Sequence, residues 1–93
     1  MSFLLKDPGA TLDYAVDWGA DYLDNDVIAE SRWAVVPAEP GGVLVLGASF
    51  DDKVATVTAA GGTAGRQYRL TNHVVTASGR EDERSLVLRV EQR

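Results

Sequence analysis

Hydrophobic and polar positions alternate most regularly in the last third of the chain. Tyr68, Leu70, Asn72, Val74 and Thr76 fall on one side of an extended segment, and Gln67, Arg69, Thr71 and His73 on the other. After a charged stretch, Leu86, Leu88 and Val90 alternate with Ser85, Arg89 and Glu91, with Val87 alone breaking the polar row. Successive side chains of a strand point to opposite faces, so this pattern predicts two long antiparallel strands with one buried side.

The rest of the chain reads the same way. In TLDYAVDW (11–18), Leu12, Tyr14, Val16 and Trp18 oppose Asp13, Ala15 and Asp17; helical spacing would scatter those aspartates, so a strand is expected. GADYLDND (19–26) is a loop with Tyr22 and Leu23 turned inward. VIAESRWAVVP (27–37) places Val27, Ala29, Ser31, Trp33 and Val35 inside, but Ile28 and Val36 then face outward, which predicts a bulge or a change of partner sheet. EPGG (39–42) makes a turn. VLVLGASF (43–50) is the most continuously apolar run and reads as a central strand that includes a buried Phe50. Asp51-Asp52-Lys53 turns the chain into VATVTAA (54–60), and GGTAG (61–65) reads as a hairpin turn.

Six short strands separated by Gly, Pro and Asp turns, with no helical segment, predict an all-β fold: an immunoglobulin-like antiparallel β-sandwich of about six to seven strands. In such sandwiches a tyrosine often begins the penultimate strand two residues before a core position, and Tyr68 and Leu70 fit that corner. With Trp18 and Trp33 they are the expected structural residues. Pro8-Gly9 divides an N-terminal arm, residues 1–10, from a single domain over 11–93, with Phe3 and Leu4 able to tack the arm down.

Composition narrows function mainly by exclusion. Ninety-three residues, 45% of them hydrophobic, suit one globular domain, and the lack of cysteine rules out disulfides and thiolate metal sites. No apolar run is long enough to cross a membrane as a helix or to serve as a signal peptide, so a chain made in the cytoplasm without a standard leader is expected. Residues 1–31 carry seven acids against Lys6 alone, within a net charge of −5. Such a chain repels phosphate, which argues against nucleic-acid binding. A basic partner could face the acidic half; a solvated strand face is the simpler reading.

Candidate chemistry is sparse. His73 is the only histidine, and no GxSxG turn, GxGxxG, P-loop or HExxH pattern accompanies it, so no enzyme is expected. GGTAG lacks the lysine and following helix of a phosphate cradle. Asp21, Asp24 and Asp26, with Asn25 and Asp17 nearby, are the one constellation with calcium chemistry. They lack the DxDxDG spacing and a closing glutamate, and an Asp-Asn turn accounts for the same residues, so no metal or other cofactor is expected. GREDER (79–84) reads as a charged hairpin tip, either a soluble turn or a contact point.

TLDYAVDW, YLDNDVIAESRW and GGTAGRQYRLTNHVVTASGREDERSLVLRV resemble the small phage fibre–tail adaptor proteins of tailed-phage and prophage structural gene clusters, from about Lys6 to Val90. The stretches Asp26–Trp33 and Gly61–Ser85 carry most of the likeness; VIAESRW departs conservatively from a Thr-Ile-type start. The resemblance implies a non-enzymatic β-sandwich component of a virion, assembled in the host bacterial cytoplasm and acting through contacts with other phage structural proteins. It is compatible with a homo-oligomeric ring and with an arm that orders on docking. The competing readings are an immunoglobulin-like surface- or carbohydrate-binding module, which would require clustered exposed aromatics, and a calcium-stabilised adhesion domain.

Overall fold

The computed structural model describes residues 3–20 and 22–92, and in it the chain is a two-layer β-sandwich. Its strands are β1 (Phe3–Lys6), β2 (Thr11–Asp17), β3 (Ile28–Val36), β4 (Val43–Phe50), β5 (Val54–Gly61), β6 (Gln67–Thr76) and β7 (Glu81–Val90). One sheet has the order β1-β7-β6-β3 and the other β2-β5-β4. All pairings are antiparallel except that of β1 with β7.

The β6–β7 hairpin forms as its alternation predicts. Tyr68, Leu70, Asn72, Val74 and Thr76 are all buried, and β7 adds Leu88 and Val90. Val43, Val57 and Ala59 pack on Tyr68, Leu70, Leu88 and Val90 at one end of the sandwich. Val16, Trp18, Leu23, Ile28, Ala55 and Val74 form the core at the other end, and Trp33 and Leu86 touch both groups. Trp18 closes β2 in a single 3-10 turn (Trp18–Ala20), and Leu23 packs inward as expected.

Several expectations need correction. The four residues 3–6 of the expected arm form β1, and Leu4 packs on the core. GGTAG does not close a hairpin; it carries the chain from β5 in one sheet to β6 in the other. Gly62 there has φ 113°, and an added Cβ would lie 2.7 Å from a Val90 methyl, so the crossing fits only glycine. Of GREDER, Glu81–Arg84 belong to β7, and the turn occupies Ala77–Arg80. The irregularity in β3 is a bulge between Ile28 and Glu30. It turns Ile28 inward and leaves Ala29 exposed, which resolves the mixed pattern of that strand. The largest correction concerns β4, which is an edge strand with Phe50 exposed.

A buried lysine ties the first turn to the body. Lys6 is fully buried, and its Nζ donates to the carbonyls of Asp7 (3.0 Å), Ala10 (2.6 Å) and Gly61 (2.6 Å). These acceptors use all three of its hydrogens. Burial pushes the ammonium pKa down, while neighbouring Asp7 pulls it back up.

Candidate docking surface

β4 runs from the Glu39–Gly42 turn, closed by a Gly42 N–H to Glu39 carbonyl bond of 3.0 Å, to Asp51. The Asp51 carboxylate accepts the N–H groups of Lys53 and Val54, both at 2.8 Å. Those two bonds hold its pKa below the usual carboxylate range and fix the turn into β5. One side of β4 pairs with β5; the other has no hydrogen-bonded strand among the described residues, although β3 of the facing sheet passes close to it. Inward-facing β5 residues identify the faces of their partners: Val45 opposite Ala59, Ala48 opposite Val57 and Phe50 opposite Ala55 point inward, whereas Leu44 opposite Ala60 and Ser49 opposite Thr56 point outward. A bulge between Val45 and Gly47 lets the inward row change parity within one strand.

No residue of β4 is charged, yet Leu46 is 61% exposed, Leu44 58% and Phe50 44%. A two-layer sandwich covers only one face of each strand. In β4 the outward row lies in water, and of the core-facing row only Val43 is buried.

Unpaired strand edges invite pairing with other chains, and proteins normally guard them with charge, brevity, bulges or inward-pointing ions. β1 is four residues long and points buried Lys6 inward. β2 displays Asp13 and Asp17, and β3 displays Glu30 and Arg32 beside its bulge. β4 has its bulge but no charge, and it is the longest apolar edge among the described residues.

Several polar groups elsewhere help to hold the fold. His73 lies on the outer face, its Nδ1 3.0 Å from Glu83 and its Nε2 2.9 Å from Glu81. These bonds raise its pKa, against smaller opposing effects of desolvation and Arg32. With a carboxylate on each ring nitrogen and no nucleophile bonded to it among the described residues, His73 is a clamp between β6 and β7. Asp26 accepts bonds from Ser78 Oγ, from the Ser78 and Val27 N–H groups and from Arg80, whose Nη2 also reaches the Leu23 carbonyl. The hydroxyl bonds from Ser78 and Thr76 lead the effects that hold its pKa well below the ordinary carboxylate range. A cation at Asp26 would have to displace Arg80. Asp24 is exposed at φ 52°, and Asp21 lies outside the described residues, so the calcium constellation is not assembled among the residues described.

Trp18, Tyr68 and Leu70 are buried. Trp33 is only half-buried, and its Nε1–H lacks a partner among the described residues. The Tyr68 hydroxyl accepts the Thr63 N–H (3.0 Å) and donates to Glu39 (2.7 Å), tying β6 to the turn that launches β4. Asn72 escaped the pattern reading. It is fully buried, its Oδ1 accepts the Trp18 Nε1–H at 2.8 Å, and its Nδ2 donates to Ser31 Oγ and the Arg32 carbonyl. A polar residue in an otherwise apolar row, facing a tryptophan row, is the signal that could have found it.

Among the described residues, the fold is therefore an all-β two-layer sandwich with an uncharged, solvent-exposed apolar edge at β4. Over residues 6–89 the chain matches the podophage GP4 fiber-tail adaptor protein gp77 family, and it belongs to that family. No curated protein matches it. At the level of the family, this is a virion-associated phage tail adaptor protein.

Proposed function

We propose that the chain is a non-enzymatic structural component of the tail, seated at or near the fibre junction and working through contacts with other phage structural proteins. Copies repeated about the tail axis would form a ring by head-to-tail contacts. The observation that carries this reading is the apolar β4 edge, with Leu44, Leu46 and Phe50 open to solvent in a chain of an adaptor family. A carbohydrate-binding module is not favoured: Trp18 lies in the core, Trp33 is half-buried, and Phe50 is the one exposed aromatic among the described residues. The test is to purify particles by density gradient and probe them with an antibody to this chain. Co-sedimentation with infectious particles, at a fixed copy number relative to the tail proteins, is expected. Protein found only free in the lysate would overturn the proposal.

A further inference from the structure

The bulge in β4 gives that strand an unusual symmetry. Suppose two copies of β4 lie antiparallel at full overlap, related by a two-fold axis perpendicular to the sheet. Val43 then stands opposite Phe50 of the second copy, Leu44 opposite Ser49, Val45 opposite Ala48, and Leu46 opposite Gly47. Directly opposed residues must share a face. In a regular eight-residue strand this register would pair inward with outward residues throughout. Here the bulge between Val45 and Gly47 sits at the strand's midpoint and shifts the parity, so inward Val43, Val45, Ala48 and Phe50 pair among themselves, and outward Leu44 pairs with outward Ser49. At the centre, Leu46, 61% exposed, meets a glycine whose missing Cβ would have no atom within 4 Å. A two-fold axis makes that fit reciprocal, leucine into glycine on both sides.

From this register we infer that the free protein pairs through β4 with a second copy of itself, turning two three-stranded sheets into one of six strands. Charge favours the same occupant. Pairing β4 with itself brings no charges together, whereas pairing it with β2 or β3 would set Asp13 and Asp17, or Glu30 and Arg32, against an apolar row. Docking through one strand edge covers a surface smaller than the ~1,200–2,000 Å² of a stable interface, so the pair is weak and reversible. The inference rests on the proposed role in one respect: copies in a tail all point the same way, so a two-fold pair would guard the edge before assembly and open during it.

Sedimentation equilibrium of the purified chain from about 5 µM to about 1 mM tests this directly. The expected result is a mass rising from 10.0 kDa toward twice that value. Leu46→Lys and Gly47→Val should each abolish the rise and leave the circular dichroism spectrum unchanged. Gly47→Val is the sharper variant, because its side chain enters open space in the monomer and fills the receiving site in the pair. A wild-type chain monomeric throughout, or a dimer persisting in both variants, overturns the inference. Incorporation of the same variants into particles separates the two ideas. A monomeric wild type whose Leu46→Lys variant is missing from particles would leave the adaptor role standing and assign β4 to another protein's strand.

Discussion

β6 and β4 are both long strands rich in apolar residues, and they meet opposite fates. β6 alternates strictly, and its inward row from Tyr68 to Thr76 is at most 2% exposed. β4 is apolar on both faces and leaves Leu44 and Leu46 in water. The difference teaches that alternation reports how many faces the chain itself can cover, whereas an unbroken apolar run reports how many faces need covering. In a two-layer fold the second number can exceed the first, and the excess stays in water in the isolated chain.

The comparison breaks if residues of the two kinds respond alike to truncation. Trp18→Ala removes a fully buried side chain that packs on Tyr22 and bonds to Asn72, and it should cost about 3–5 kcal/mol in urea unfolding. Leu46→Ala, measured at low concentration, should stay within about 0.5 kcal/mol of wild type. Equal losses would mean that β4 is held by cover within the monomer. Next in size is Asn72→Ala, which strands the buried Trp18 Nε1–H and removes the bond to the Arg32 carbonyl; a loss of about 1–3 kcal/mol is expected. An unchanged unfolding midpoint would show that the amide is dispensable to the β6 side of the comparison.

The smallest effect is on pH. The folded His73 pKa is raised by Glu83 and Glu81, so its contribution is fully present below the unfolded value near 6.5 and is lost as pH rises through the folded value. Wild type should therefore exceed His73→Gln in melting temperature in mildly acidic buffer and converge with it in alkaline buffer. A pH-independent gap would mean that the imidazole acts by packing alone.

The sandwich was legible because most strands carry their own burial pattern: β2, β5, β6 and β7 each show an inward row that a period of two exposes. The bulge in β3 was legible too, since Ile28 could not otherwise share a face with Trp33. The sheet position of β4 was not, because VLVLGASF suits a strand buried on both faces as well as an exposed edge strand, and only topology separates them. Trp18, Tyr68 and Leu70 lie in the core, while Trp33 is half-buried. The contacts of Asp26 with the β6–β7 turn and of Asn72 with Trp18 lie 52 and 54 residues apart in sequence, beyond the reach of any local pattern.

The buried ammonium of Lys6 has a practical consequence for handling the protein. Of the two lysines, Lys53 stands in solvent and Lys6 has every hydrogen engaged by a carbonyl. Amine-reactive dyes and cross-linkers attack only a free, neutral amine, so among side chains they will mark Lys53 and pass over Lys6 while the first turn stays shut. Acylation of Lys6 requires that turn to lift away from Gly61, which makes its slow labelling a clock for local opening at the edge opposite β4.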